Sequence, residues 1–336
     1  MSILLFPEKA SAAAASPPLV GIARLAAESP SLAAKRKVEY FGLRSKSILN
    51  RCNSRRVPFA WTINPYRGCE LGCKYCYARY THEYMGMEDP WQFEEKIYGK
   101  ERAGEILRAE LKKDPRGAIA IGTATDPYQP AERQFEVTRS ILDTLSQFRG
   151  LTVSVTTKSD LIRRDLPLLV EIGRRNELQV NITVTTMNEG LARLLEPRAP
   201  RPELRMAAAA EVAAAGIAVG VFAMPVLPEL TDDAKNLEAV AQAASRAGAC
   251  YFAVQALFLM PSAKKAYFPF IEERFPSLAE TYRRLYANGA YLPAQYRIRI
   301  EELARQLRRK YGLTSRPREY PAPAFAVSPQ LPLFRE

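Results

Sequence analysis

Long apolar runs are missing from this 336-residue chain. No stretch of about 18 apolar residues occurs, so no transmembrane helix is expected. The opening MSILLF has no basic flank before it and gives way to Pro7, Glu8 and Lys9, so no signal peptide is expected. Histidine is reduced to one, His82. Cysteine is scarce, at five, and three of them lie within eight residues (Cys69, Cys73, Cys76). That spacing is too tight for a secreted disulfide framework and points to a metal or redox site in a reducing compartment, the cytoplasm. No internal repeat of 20–50 residues is visible. What is present is ordinary globular material: hydrophobic residues make up 47% of the chain. At this length folding buries roughly three quarters of the unfolded surface, so no covalent staples are needed.

The net charge of +12 is unevenly spread. Residues 1–61 carry +7, residues 62–260 carry −2 and residues 261–336 carry +7. A near-neutral body between two basic ends suggests a catalytic domain whose ends face a polyanion; the plainer reading is that they serve solubility.

Residues 1–34, rich in Ala, Ser and Pro, read as a disordered tail, and 35–60 as a basic lead-in segment. From Trp61 strands alternate with helices. Strands are expected at 61–66, 118–123, 151–157, 178–185, 217–225 and 251–258, and helices at 99–113, 132–147, 160–174, 202–215 and 232–247. Six such units argue for a parallel α/β sheet covered by helices, either doubly wound or an open (β/α)6 barrel. Either places its site at the carboxyl ends of the strands. Residues 261–320 read as a basic helical extension with helices at 267–287 and 294–311. The second carries Arg297, Arg299, Arg305, Arg308, Arg309 and Lys310, with Ile298, Leu303, Leu307 and Tyr311 as its buried stripe. Residues 321–336 form a Pro-rich tail.

The strongest local signal is NPYRGCELGCKYCY at 64–77, a C-x3-C-x2-C loop just after the first expected strand. Three thiolates at that spacing can wrap one [4Fe–4S] cubane, each on its own iron, which leaves one iron open to a chelator. Gly68 and Gly72 allow the loop to bend closely. Zinc, with His82 as fourth ligand, and buried structural cysteines are the competing readings. The second cysteine pair that zinc sites usually carry is absent.

This motif in this setting resembles the radical S-adenosylmethionine (radical SAM) superfamily over roughly residues 60–260. Within it the chain is similar to the spore photoproduct lyase-related branch. The matching stretches are NPYRGCELGCKYCYARYTHEYMG (64–86), GTATDPYQPAE (122–132), TTKSDLIRRD (156–165), EPRAPRPELR (196–205) and GVFAMPVLPELTD (220–232). The resemblance implies an open (β/α)6 partial TIM barrel in which S-adenosylmethionine chelates the unique iron. Reductive cleavage then yields a 5′-deoxyadenosyl radical that abstracts a hydrogen atom from substrate. The fold's task is orientation and exclusion of water.

Residue by residue, the resemblance places Cys69, Cys73 and Cys76 on the cluster. It puts Tyr75 and Tyr77 on the tyrosines flanking the last cysteine, with Tyr77 as radical relay; packing around the cluster is the plainer role. Thr125, beside Asp126, falls on a serine used against the cofactor. Lys158 and Ser159 match a lysine-containing cofactor site, where an ammonium can pair with a carboxylate. Asn181 and Thr183 share a strand face, facing the interior, where either could bond ribose hydroxyls. Thr123 occupies the place of the lyase cysteine that returns a hydrogen atom, a step an alcohol cannot copy. Cys250 reads as a core residue, and Cys52 as a thiol that could fold over the barrel mouth. Glu196 and Arg198 read as cofactor or substrate anchors or a surface ion pair, and His82 as a local hydrogen-bonding residue.

The segment QLPLF, with Gln330, Leu331, Leu333 and Phe334, resembles the peptide by which bacterial repair proteins bind the DNA sliding clamp. The Pro-rich linker gives it reach, and the alternative is a tail packed on the barrel. The expected function is a radical SAM enzyme acting on DNA, repairing or modifying a base lesion, with flavodoxin or ferredoxin as electron donor. The alternatives are a radical SAM enzyme modifying RNA, a peptide or a small molecule, and a non-catalytic iron–sulfur or zinc protein binding nucleic acid or the clamp.

Overall fold

The computed structural model describes residues 19–35, 38–54 and 57–315. Six strands form its centre: β1 (Trp61–Ile63), β2 (Ile119–Ile121), β3 (Thr152–Thr157), β4 (Glu177–Thr183), β5 (Ala218–Val226) and β6 (Tyr251–Ala256). They pair in parallel, each with the next, in unbroken sequential order. A doubly wound sheet would reverse direction partway. Here every crossover steps the same way, so the helices gather on one face and the sheet curves around the other, as in an open partial TIM barrel.

Alternation along the strands decides what each face holds. Ile63, Ile121, Val155, Val180 and Val219 lie in register across five strands and are fully buried against helix residues such as Leu107, Ile141 and Leu169. The opposite face carries Thr62, Thr156, Asn181 and Thr183. Asn181 Nδ2 donates to Thr156 Oγ1 on the neighbouring strand at 3.0 Å. A polar interior opening at the strands' carboxyl ends is where this architecture places chemistry.

Both outer strands are covered, which blunts the exposed edges of an open sheet. Asn50–Arg51 pairs antiparallel with β1. Beyond β6, the Phe252 amide donates to Thr314 O and the Thr314 amide to Cys250 O. The helix Ala294–Tyr311 that delivers Thr314 buries Ile300, Ala304 and Leu307. Its buried stripe is therefore shifted from the expected one: Ile298 is 66% exposed, while Leu303 and Tyr311 are partly buried against the core.

Several expected boundaries move. Residues 64–66 leave the first strand because Asn64 turns its side chain to Thr123 and Ala124. Tyr66–Arg67 then joins a separate four-stranded sheet with Ser31–Lys35, Val38–Leu43 and Lys96–Lys100. The last of these replaces the start of the expected 99–113 helix, which begins at Ala103. The expected 132–147 helix breaks at Glu136, whose φ is +48°. Pro261 opens a helix to Arg274 that starts earlier than expected, and the turn at Pro276–Leu278 divides it from Ala279–Leu285. The segment expected as a disordered tail holds a helix at Gly21–Ala27. Ile22, Leu25 and Ala26 give it an apolar stripe, packed with Leu43, Met85 and Tyr98.

Candidate active site at the strand ends

The cysteine loop is tied to three parts of the fold at once. The Cys69 amide donates to Phe93 O at 2.9 Å, the Lys74 amide to Leu195 O at 2.9 Å and the Arg198 amide to Leu71 O at 3.2 Å. Gly68 O accepts from Thr125 Oγ1 at 2.7 Å and Gln129 Nε2 at 3.1 Å. Gly68 and Gly72 both have positive φ, +84° and +67°. A Cβ at Gly68 would lie 2.6 Å from Lys96 O, so neither conformation nor space admits a side chain there.

Cys69 and Cys73 are buried, Cys76 half-buried, and none forms a disulfide. Burial raises all three thiols above the ordinary value, with Asp126 adding at Cys69 and Glu196 at Cys73. Their surroundings are apolar: Leu71, Ala78, Leu227, Leu257 and Leu259 belong to the same cluster. Among the described residues no three His, Cys, Asp or Glu side chains converge on a single ion. A cubane takes each thiolate on a separate iron, so this dry, three-thiol loop fits such a cluster. His82 Nε2 lies 3.0 Å from Lys96 O and its ring meets Phe93 and Tyr98 edge-on. Burial lowers its pKa to about 4, so it is neutral and serves locally, as its sequence context suggests.

Beside Cys73 lies a buried polar network centred on Glu196. Its carboxylate pairs with Arg205 at 2.5 Å and accepts from Thr185 Oγ1 at 2.8 Å and from the Tyr75 hydroxyl. Lys158 Nζ stands 3.6 Å from it and 5.8 Å from the Tyr75 ring centroid. Burial pushes the Glu196 carboxyl up, but Arg205 and Lys158 outweigh it and bring the pKa down to about 2. Glu196 is thus no surface ion pair. Arg198 is exposed and pairs instead with Glu94, which also holds buried Arg79. Arg79 in turn donates to Cys73 O at 3.1 Å.

The remaining strand-end residues divide into two groups. Thr125 is occupied in bracing the loop and also accepts from Gln129 Nε2 at 3.0 Å. Asp126 accepts from Thr157 Oγ1, the Lys158 amide and the Tyr128 amide at 2.6–2.9 Å, and burial raises its pKa against those bonds. Ser159 caps the following helical turn through the Leu161 amide. These three therefore hold the frame. Lys158, Thr123 and Tyr77 stand at the strand ends, while Asn181 and Thr183 lie buried on the interior face of β4. Asn181 accepts from the Tyr251 hydroxyl, Thr123 Oγ1 bonds the Asn64 side chain, and the Tyr77 hydroxyl donates to Thr123 O.

The sequence pattern of the Radical SAM superfamily matches residues 63–239, from the end of β1 into the helix before β6. The chain belongs to the radical SAM superfamily. An uncharacterised protein of Mycobacterium tuberculosis is 35% identical over 294 residues, covering 86% of each chain. One of Methanocaldococcus jannaschii is 30% identical over 199 residues, covering 58% of this chain and 71% of its own. Spore photoproduct lyase complexed with dinucleoside spore photoproduct superposes with a TM-score of 0.59 at 15% identity, covering 88% of this chain and 84% of that one. A double mutant of that lyase, with bound AdoMet and the same dinucleoside, gives 0.57 at 17%, covering 80% and 78%. These two likenesses show a shared fold.

In this radical SAM chain, sequence reasoning missed Arg205, Thr185, Gln129 and Glu94 as parts of the site. Arg205 ends the matched EPRAPRPELR stretch, nine residues from its partner Glu196, a spacing no local periodicity flags. Among the expected nucleic-acid cations, Arg308 is buried, donating to Phe252 O and pairing with Glu301, so it is not available to phosphates. Arg299, Arg305 and Lys310 are exposed but paired with Asp232, Glu302 and Glu238. Arg297 and Arg309 are exposed. The clamp-like segment, Gln330 to Phe334, lies outside the described residues. No described helix is long and apolar enough to cross a membrane.

Proposed function

We propose that this radical SAM enzyme acts on DNA in the cytoplasm, repairing or modifying a base lesion, with a [4Fe–4S] cluster on Cys69, Cys73 and Cys76. The observation that carries the enzymatic reading is the three-thiol loop fastened at the carboxyl ends of the strands, above a polar interior. When bound, the cluster and S-adenosylmethionine supply a 5′-deoxyadenosyl radical that abstracts hydrogen from substrate. The chain's own residues do the rest. Lys158, anchored by Glu196 yet still reachable from the mouth, offers an ammonium to a carboxylate. Asn181 and Thr183 offer hydrogen-bonding groups inside the barrel, while Leu227, Leu257 and Leu259 exclude water. Tyr77 at the mouth relays the hydrogen atom, and Thr123, lacking a thiol, does not donate one.

The DNA reading is supported by the fold shared with spore photoproduct lyase, solved with a dinucleoside photoproduct, and by the two +7 ends. QLPLF would tether the enzyme to the sliding clamp, and flavodoxin or ferredoxin would deliver the electron. Anaerobically reconstituted protein should show a [4Fe–4S] spectrum and release 5′-deoxyadenosine on reduction. Zinc alone in the purified protein, or cleavage that survives Cys73→Ala, refutes the cluster assignment. Product analysis of ultraviolet-irradiated DNA tests the substrate: lesions left intact by an enzyme that cleaves S-adenosylmethionine refute photoproduct repair. Clamp binding unchanged by deletion of residues 330–336 refutes the tether.

A further inference from the structure

We propose that a row of aromatic side chains across the barrel mouth is a stacking platform for unpaired nucleobases. This rests on the nucleic-acid reading above and narrows it to a single-stranded or locally unpaired segment. Five rings follow one another. Tyr291 stacks on Phe258 at 5.6 Å, Phe258 meets Tyr77 at 5.1 Å, Tyr77 lies 6.5 Å from Tyr80 with planes 25° apart, and Tyr80 meets Tyr84 edge-on at 5.9 Å. Three separate stretches of chain assemble the row: the turn after Cys76, the loop after β6 and a segment of the C-terminal extension. The last is fixed in place by a bridge between Phe258 and Tyr291 and by the Leu259 amide donating to Ala290 O at 2.8 Å.

Burial does not explain these rings. Tyr84 is 52% exposed, Tyr291 48% and Tyr77 36%, so both ends and the middle of the row face solvent. Contiguous exposed aromatic surface of this kind marks a binding surface. The flank of the row selects the partner's charge. The Arg67 guanidinium and the Cys52 thiol both act electrostatically on Tyr80, which puts one cation beside the row. Arg67 Nε is buried without a hydrogen-bond partner.

Exposed aromatic rings with a cation beside them suit a strand whose bases stack while its phosphates pair. A duplex keeps the faces of its bases stacked on one another and offers none to a tyrosine. The Tyr77 hydroxyl is bonded to Thr123 O at the end of β2, so a base held on the row rests at the entrance to the interior.

The test is fluorescence anisotropy of labelled oligo-dT, oligo-U and a DNA duplex against the cluster-loaded full chain. Tyr84→Ala and Tyr291→Ala should each weaken single-strand binding about 5- to 150-fold, the range a lost base–aromatic stack gives. Tyr84→Phe and Tyr291→Phe should bind like the parent, which separates stacking from hydroxyl bonding and from misfolding. The strand expected is DNA: oligo-dT should show the alanine loss and the phenylalanine rescue, and a loss confined to oligo-U overturns the proposal. Neither strand showing it, alanine variants that bind like the parent, or a duplex bound as tightly as a single strand overturns the proposal. Release of 5′-deoxyadenosine by the parent is scored separately, so loss of the platform and loss of the enzymatic reading are distinguishable.

Discussion

Glu196→Gln removes one charge from the buried network while keeping its shape. Arg205 is then left in the interior without its counter-ion, since it is itself buried and sits 2.5 Å from the lost carboxylate. Removing one partner of a buried pair costs about 3–5 kcal/mol. A second route reaches the same size: a carboxyl brought from 4.5 to about 2 has its ionised form favoured by about 3 kcal/mol. Against a total stability of about 5–15 kcal/mol this is a large fraction. Urea denaturation of the cluster-loaded protein, followed by circular dichroism, measures it.

The double variant Glu196→Gln with Arg205→Met should recover part of the loss, because no unpaired guanidinium remains. Recovery stays incomplete, as Tyr75, Thr185 and Lys158 also use Glu196. The pH dependence carries a sign. The folded carboxyl titrates below the unfolded one, so its contribution is full above about pH 4.5 and is lost as pH falls toward 2; Glu196→Gln should lack that slope. A single variant within about 1 kcal/mol of the parent, or a double variant no more stable than the single, refutes the reasoning.

Thr125→Val should cost about 1–2 kcal/mol and reduce iron incorporation while leaving the KM for S-adenosylmethionine unchanged, because the hydroxyl braces Gly68. Full iron content with a raised KM would make Thr125 a cofactor contact instead. His82 titrates near 4 when folded and about 6.5 when unfolded, so stability should fall by about 3 kcal/mol as pH drops across that window. His82→Phe should flatten the profile there, and an unchanged slope counts against a neutral buried ring. Gly220→Ala drives a methyl group into the Tyr251 ring. The overpacking should cost about 1–3 kcal/mol and displace Tyr251 from Asn181. Thermal melting at parental temperature would show that the ring has room to move.

The sequence by itself determined whatever is written in short-range pattern. Six alternating units prescribed a parallel α/β sheet, period two put Asn181 and Thr183 on the face opposite Val180 and Ile182, and three cysteines in eight residues marked the loop at the strand ends. Those features are readable because backbone periodicity and ligand spacing act over a few residues. The tertiary structure decided which polar groups remain available for chemistry. Thr125, Asp126 and Ser159, which look like cofactor residues in the sequence, are also bonded into the loop and strand ends. Glu196 and Arg198, two residues apart in the chain, part company: one pairs with Arg205 in the interior, while the other, exposed, pairs with Glu94. Arg308 carries the same charge as Arg309 but is folded inward against β6. A buried ion pair is chosen by three-dimensional proximity and the cost of desolvation, neither of which is local in the chain. The aromatic row is the same kind of fact, since its five rings come from three stretches that meet only in the folded chain.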